Sequence, residues 1–238
     1  EMCIRDRLPM YAISWSQPIA LKNTNRGGEV SSTVSIQSYS PISRATRDYD
    51  VVFRNCIING TIVVGNESRV LFENVTIIAR YFSSYIPGKF RGFLELYDFA
   101  SVCIVNSKII VDSWGAYAYV YNDSILELNN VTIENGDLFV NVYNSSYLVV
   151  YNSFIQYISL WEYSELFLYN STPYVVWMYD YSLAYVHGYL TSGYFQASGH
   201  SELHFDSVNA SSSVTASAYG SAYIPVSYTH LRAHETEA

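Results

Sequence analysis

The chain has 238 residues, half of them hydrophobic, and a formal net charge of −8 at pH 7. This length suffices for one domain with a sizeable core, and the apolar residues are too dispersed to form the run of roughly 18 that a membrane-spanning helix needs. Residues 109–225 contain no lysine or arginine, so we expect an acidic surface that repels nucleic acid and anionic membranes. We therefore predict neither a nucleic-acid partner nor a membrane span.

The two ends of the chain differ in pattern from the body. Residues 1–7, EMCIRDR, resemble an in-frame translation of a sequencing adaptor, and residues 226–238 resemble the translated reverse complement of the same adaptor. Both segments are therefore left out of the predicted fold. Residues 8–47 are weakly patterned, and we expect an N-terminal segment or irregular first coils there.

From residue 48 onward, one short pattern recurs. In the copy that starts at Ser124, the apolar residues Leu126 and Leu128 follow at plus two and plus four, and Asn130 stands at plus six. An early copy centres on Tyr49, and the same frame starts at Ser68, Ala100, Ser146 and Ser164. It decays at Ser182 and Ser201, where the plus-six residues are Gly188 and Ser207. Counted from Asn55, successive plus-six positions are 19, 32, 24, 22, 18, 18 and 19 residues apart. Period-two alternation predicts strands, and self-similarity near 20 residues predicts a solenoid.

Two further strands are predicted in each repeat, one after the plus-six residue and one before position zero. The positions at minus four and minus six are apolar in the seven copies from Ser68 onward: Val64, Leu96, Val120, Val142, Leu160, Met178, Ala197, Ile62, Leu94, Ala118, Val140, Ile158, Val176 and Phe195. Three short strands per repeat without a helical stretch are typical of a parallel β-helix. Residues 48–225 accordingly resemble right-handed parallel β-helix proteins, which implies an all-β, single-stranded solenoid with about three strands and 18–24 residues per coil. The recurrent asparagine suits a left-handed turn and side-chain hydrogen bonds between coils.

A spacing of 32 residues between Asn74 and Asn106 predicts an insertion near residues 80–91, which contains Arg80, Lys89 and Arg91. A solvated loop is the favoured interpretation. Many β-helix proteins are polysaccharide lyases or glycoside hydrolases, so the resemblance also allows a catalytic site in residues 80–98.

Catalysis of that kind needs a base, or carboxylates roughly 5–9.5 Å apart, and equivalent positions on neighbouring coils lie about 4.8 Å apart. At minus two, Glu162 and Asp180 fall on adjacent coils. A Ca²⁺ site is possible there, but a stacked polar turn is favoured. No cofactor is predicted.

The strongest outward signal is aromatic and lies on the third strand of each coil. The minus-three column reads Tyr97, Tyr121, Tyr143, Trp161 and Tyr179, minus five adds Tyr119 and Trp177, and minus seven adds Phe93, Tyr117, Phe139, Tyr157 and Tyr194. Such a row can be a purely structural stacking ladder, but large exposed apolar patches commonly bind something. We predict ligand binding at six of these residues, Tyr97, Tyr121, Tyr143, Trp161, Trp177 and Tyr179, with a glycan or a protein surface as the partner, including a second copy of the chain.

A polar cluster near the end of the repeats is the second candidate site. His187 occupies the same column as Asp206 one coil earlier, and His204 is two residues from Asp206. These three side chains form a candidate transition-metal site. A solvated polar face is the favoured interpretation of the same residues.

Eight Asn-x-Ser/Thr sequons are possible glycosylation acceptors in a secreted protein: Asn59, Asn66, Asn74, Asn122, Asn130, Asn144, Asn170 and Asn209. Cys56 and Cys103 fall in different coils, so they are predicted to pack as buried apolar side chains and not to form a disulfide.

The sequence thus predicts a non-catalytic β-helix fragment, secreted or on the cell surface, with a structural or adhesive role. The alternative is a carbohydrate-active enzyme whose site lies in residues 80–98 or outside the fragment.

Overall fold

The computed structural model describes residues 29–31, 34–37, 49–79, 92–112, 114–210, 214–219 and 226–227. Within these ranges every strand pairs in parallel and no helix occurs. The strands wind into a β-solenoid of about 7 turns with roughly 21 residues per coil, which confirms the predicted all-β parallel solenoid. The predictions for residues 1–7, for residues 228–238 and for the insertion at 80–91 lie outside the described residues. Val226–Ser227, at the start of the C-terminal segment, are described as a short strand that pairs with residues 205–206.

The described strands follow one another along the chain as β1 (Glu29–Ser31), β2 (Val34–Gln37), β3 (Val51–Arg54), β4 (Ile57–Asn59), β5 (Ile62–Gly65), β6 (Arg69–Glu73), β7 (Thr76–Ala79), β8 (Leu94–Leu96), β9 (Ser101–Val105), β10 (Lys108–Val111), β11 (Gly115–Val120), β12 (Ile125–Asn129), β13 (Thr132–Glu134), β14 (Asp137–Val142), β15 (Tyr147–Tyr151), β16 (Phe154–Leu160), β17 (Glu165–Tyr169), β18 (Thr172–Met178), β19 (Leu183–Leu190), β20 (Gly193–Ala197), β21 (Glu202–Ala210), β22 (Val214–Ala218) and β23 (Val226–Ser227).

Three parallel sheets form the walls of the solenoid. The strand-one sheet has the order β3-β6-β9-β12-β15-β17-β19-β21-β23, the strand-two sheet β1-β4-β7-β10-β13, and the strand-three sheet β2-β5-β8-β11-β14-β16-β18-β20-β22. Parallel pairing of each strand with its equivalent one coil later keeps the repeat positions in columns, with a register shift between His187 and Tyr189 where β19 pairs with β21.

The strand-two sheet ends at β13, so three strands per coil describe only the first part of the solenoid. After Asn152 and Asn170 the strand that follows the asparagine runs without a break into strand three, as β16 and β18. These two coils have the shortest spacing between plus-six positions, 18 residues. In the next coil strand one continues past Gly188 to Leu190 as β19, and strand three is the separate β20.

The core lies inside the coils and consists of the positions that the alternation predicts. All fourteen residues at minus four and minus six are at most 1 % exposed. The plus-two and plus-four residues of strand one are buried as well, for example Leu126 and Leu128. Full burial of each such side chain contributes about 1.5–3 kcal/mol to folding, so the continuous apolar stack is the main source of stability.

The turn after strand one has the predicted left-handed backbone. Asn55, Asn74, Asn106, Asn130, Asn152 and Asn170 have φ values between 47° and 54°. Their side chains also join coils in places, since Asn74 Nδ2 donates to Asn55 Oδ1 at 2.6 Å and Asn130 Nδ2 donates to Asn106 Oδ1 at 2.8 Å. Asparagine stabilises this conformation because it tolerates positive φ better than most residues.

Position zero has a role that the sequence pattern did not reveal. Its serines are buried, and two of their hydroxyls accept hydrogen bonds from backbone N–H groups of the preceding coil: Ser124 Oγ from Ala100 at 3.2 Å and Ser146 Oγ from Ser124 at 3.2 Å. These two serines satisfy buried backbone donors at the corner between strand three and strand one, whereas the hydroxyls of Ser68 and Ser182 have no partner among the described residues.

The two described cysteines are free and buried, as predicted. Cys103 points to the outer side of β9, yet it is only 6 % exposed, and its thiol contacts Tyr49. Burial raises the pKa of the Cys103 thiol to about 11, so the thiol stays protonated at neutral pH and packs as an apolar group.

Candidate binding surface

The minus-three aromatic column forms one continuous stack at the end of strand three. We call Tyr97, Tyr121, Tyr143, Trp161 and Tyr179 the aromatic ladder. From Tyr97 to Tyr179 the ring centroids are 5.1, 4.9, 6.2 and 4.0 Å apart, with interplanar angles of 8–18°. All five side chains are half-buried. The parallel pairing of β8, β11, β14, β16 and β18 sets this spacing, because equivalent residues of paired strands lie about 4.8 Å apart.

Stacking determines which part of each ring solvent can reach. Because the rings are nearly parallel, each covers the faces of its neighbours, and the row presents ring edges with their hydroxyl groups. The last face of the row, on Tyr179, has no aromatic neighbour in the next coil, where Ser198 occupies the column. The ladder therefore presents a row of ring edges along its length.

Burial keeps three of the ladder phenols neutral. It raises the pKa of Tyr97, Tyr121 and Tyr143 above the ordinary tyrosine value, with further contributions from Glu95 at Tyr97 and from neighbouring tyrosines at Tyr121. A neutral phenol is both a hydrogen-bond donor and an acceptor. The ladder is thus an uncharged surface with hydrogen-bonding capacity at its edge.

One ladder donor lacks an acceptor. The indole Nε1 of Trp161 is buried and has no hydrogen-bond partner among the described residues. An unsatisfied buried donor costs stability, about 1–3 kcal/mol by general experience.

Glu95 is a polar residue beside the ladder that sequence reasoning missed. It lies on the outer side of β8 between two inward leucines, yet it is only 8 % exposed. Its carboxylate accepts hydrogen bonds from Tyr97 Oη at 2.9 Å and from the Gly92 backbone N–H at 2.9 Å. Strand alternation predicts that Glu95 faces outward, but no pattern within the strand indicates that it is covered.

The minus-two column runs beside the ladder and contains carboxylates. Asp98, Asn122 and Asn144 are linked by side-chain hydrogen bonds of 3.0 and 3.2 Å. Glu162 and Asp180 continue the column as exposed residues with φ values near 60°. This arrangement is a stacked polar turn that places negative charge next to the ladder.

The other predicted aromatic columns are only partly continuous. At minus seven Tyr117, Phe139 and Tyr157 stack at 4.8 and 4.5 Å, and Tyr157 lies 5.8 Å from the half-buried Trp177 of the minus-five column. The alternation predicts that Phe93 faces outward in the same column, but Phe93 is 1 % exposed. The physical reason is that β8 begins only at Leu94, so the strand alternation does not govern Phe93.

The histidine cluster divides into two separate histidine–carboxylate contacts. His187 Nδ1 lies 3.4 Å from Asp206 Oδ2, as the predicted column requires, whereas His204 Nε2 lies 3.1 Å from Glu202 Oε2. His204 also stacks on Tyr185, with centroids 5.0 Å apart. Among the residues that the structure describes, no group of three or more His, Cys, Asp or Glu side chains is placed to hold a metal ion. The three-residue metal site stays a prediction.

We expect the chain to bind Zn²⁺ or Cu²⁺ weakly, because its two candidate histidines pair with different carboxylates. Isothermal titration calorimetry near neutral pH should therefore show no saturable heat at micromolar ion concentration, for either the parent or a His204→Ala variant. Tight binding by the parent that disappears in His204→Ala would instead establish a site containing His187, His204 and Asp206.

No helix long and apolar enough for a membrane span is found in the described part of the chain. Searches of protein-family models, curated proteins and solved structures found no match to this chain.

Proposed function

We propose that this chain is a non-catalytic, extracellular or cell-surface β-solenoid with a structural or adhesive role, and that it binds a neutral glycan along the aromatic ladder. The observation that carries the proposal is a row of five stacked, half-buried rings whose edges remain open to solvent. We propose the extracellular or cell-surface location because a structural or adhesive role is carried out there.

The chemistry of the row favours a sugar over a charged ligand. Aromatic side chains provide a large contact area at small entropic cost, and the absence of charge in the column keeps desolvation inexpensive. Phenol hydroxyls can bond to sugar hydroxyls at the ring edges. The neighbouring carboxylates of Glu162 and Asp180 can accept further hydrogen bonds from a sugar.

The charge of the surroundings selects against acidic glycans. The chain carries −8 overall, and no lysine or arginine lies in residues 109–225, where most of the ladder is located. A polyanionic glycan would therefore be repelled, which leaves uncharged polysaccharides as the expected class.

A carbohydrate-active enzyme is the second candidate function, and Glu95 is the observation that favours it. A covered carboxylate held by a phenol on the outside of β8 falls within residues 80–98, the segment in which the resemblance allows a catalytic site. Tyr97 donates a hydrogen bond to this carboxylate. Burial and then Glu95 raise the pKa of Tyr97 above the ordinary value, so the phenol is a hydrogen-bond donor and not a phenolate base.

The test is a binding screen of the parent against uncharged oligosaccharides of the malto-, cello-, manno- and chito- series. A variant with Tyr143→Ala and Trp161→Ala should bind at least about tenfold more weakly, because it removes two central rings of the ladder. It should remain folded, since each lost ring pair contributes only about 0.2–1 kcal/mol.

The matched control is Phe139→Ala with Tyr157→Ala. That pair also removes two stacked rings from the strand-three sheet but leaves the ladder intact. Equal loss of glycan binding in both double variants would reject the ladder as the site. Release of reducing sugar by the parent, abolished in Glu95→Gln, would favour the enzyme instead.

A further inference from the structure

The chain contains two Asn-Gly dipeptides, and the fold places them in opposite surroundings. Asn135 and Gly136 form the whole connection between β13 and β14, and Asn135 is exposed, with φ at 68°. Asn59 lies in β4 and is 8 % exposed, and Gly60 after it is buried. Both dipeptides are turn signals in a sequence, so it is the structure that distinguishes them.

The end of the strand-two sheet explains why the corner at Asn135 is open. β13 is the last strand of that sheet, and among the described strands it pairs only with β10. The next coil reaches the corner through Gln156, whose Nε2 donates to Gly136 O at 3.4 Å and whose Oε1 accepts from the Leu138 N–H at 3.1 Å. These bonds leave Asn135 itself at the surface.

Within the described part of the chain, no hydrogen bond holds the peptide group between Asn135 and Gly136. The Asn135 carbonyl, the Gly136 N–H and the Asn135 side-chain amide are all without a partner there, and Gln156 bonds to the carbonyl of Gly136, which belongs to the next peptide group. Glycine has no Cβ atom, so residue 136 has no side chain to block the approach of its nitrogen to the asparagine side chain. Asn59, by contrast, is buried in a paired strand and makes a contact of its own.

We propose that Asn135 is a site of spontaneous deamidation, with water as the co-reactant. The backbone nitrogen of Gly136 attacks Cγ of Asn135 and loses its proton, the Cγ–Nδ2 bond breaks, and Nδ2 leaves with that proton as ammonia. The cyclic succinimide that results takes up water at one of its two carbonyl carbons. Water at Cγ gives aspartate, whereas water at the main-chain carbonyl carbon gives isoaspartate, in which the main chain runs through the former side chain.

Either product adds a carboxylate to a corner that is already acidic. Glu134 and Asp137 flank the dipeptide, and Glu134 Oε1 already pairs with Lys108 Nζ at 2.9 Å. Residues 109–225 contain no further lysine or arginine. Isoaspartate also lengthens the main chain by one carbon between β13 and β14. We therefore expect the modified chain to separate from the parent as a more acidic species on ion exchange.

Peptide mapping by mass spectrometry, with enzymatic methylation to detect isoaspartate, tests the proposal on the folded full chain during incubation below its thermal midpoint. Asn135 should convert at least about tenfold faster than Asn59, because the buried residue reacts only after local opening of the fold. Conversion should be faster at mildly alkaline pH, since base removes the proton of the attacking nitrogen. In the urea-unfolded chain the two asparagines should convert at similar rates.

Gly136→Ala is the matched variant. Its Cβ atom hinders the attacking nitrogen, so conversion of Asn135 should slow several-fold while Asn59 is unaffected. An Asn135 that stays intact in the folded chain after it has converted in urea, equal rates at Asn135 and Asn59 in the folded chain, or a rate at Asn135 that Gly136→Ala leaves unchanged would each overturn the proposal. The comparison with Asn59 uses the parent alone, so it decides the matter even if the variant does not fold. The corner is not part of the aromatic ladder, so the result is independent of glycan binding.

Discussion

Ile158→Ala will lower the free energy of unfolding by about 2–5 kcal/mol. Ile158 is fully buried at an inward position of β16, in the middle of the continuous core. Its truncation removes apolar contacts and leaves a cavity between two neighbouring coils. Because each coil is stabilised largely by its neighbours, the loss should weaken the whole stack. Urea unfolding followed by circular dichroism measures the change.

Ser159→Ala is the control for this prediction. Ser159 is the next residue of the same strand, points outward and is half-buried, so its replacement should change the unfolding free energy by less than about 0.5 kcal/mol. Similar losses from both variants would mean that β16 does not alternate between core and surface as described.

Gly188→Ala will destabilise the chain by about 2–4 kcal/mol, the second-largest effect we expect. Gly188 occupies the plus-six position of its repeat in place of asparagine, with φ at +87°. A Cβ atom there would lie 2.2 Å from Asn170 Oδ1, the oxygen that accepts a 3.0 Å hydrogen bond from the Tyr189 backbone N–H. The substitution therefore combines backbone strain with a clash and the loss of a hydrogen bond.

Two variants separate these causes. Gly65→Ala should be neutral or slightly stabilising, because its Cβ atom would meet only Tyr97 O at 3.8 Å and the substitution reduces the freedom of the unfolded chain. In an Asn170→Ala background, Gly188→Ala should be less harmful, since the clash is gone and only the strain remains. An unchanged penalty in that background would show that the contact with Asn170 does not matter.

The core could be predicted from the sequence because one physical rule governs it. Strand residues alternate between the two sides of a sheet, and each inward position repeats in every coil, so the alternation alone assigns Leu126 and Val140 to the interior. The left-handed asparagines followed from similar reasoning, since few residues other than glycine adopt positive φ readily. The ladder could be predicted as a column for the same reason, although its ring-against-ring orientation could not.

What the sequence failed to predict depends on contacts outside the repeat. The position of Phe93 depends on where β8 begins, and the covered state of Glu95 depends on groups that the alternation does not describe. His204 contacts Glu202, two residues earlier on the same strand, and Tyr185 on the neighbouring strand. Strand alternation does not predict which of several neighbouring side chains His204 will contact. The outer side of strand one could have been recognised as partly apolar from the sequence. Val149, Phe167 and Tyr185 all occupy the outward plus-three position of their repeats.

The emission of Trp161 during a glycan titration tests the central claim most directly. Tryptophan fluorescence reports the surroundings of the indole, and a chain with Trp15→Phe, Trp114→Phe and Trp177→Phe keeps Trp161 as its only indole. If the ladder binds the glycan, addition of the oligosaccharide that the parent binds should change the Trp161 emission in a saturable way, with the same midpoint as calorimetry. Saturable binding with unchanged Trp161 emission, or no binding of any uncharged oligosaccharide by the parent, would contradict the account.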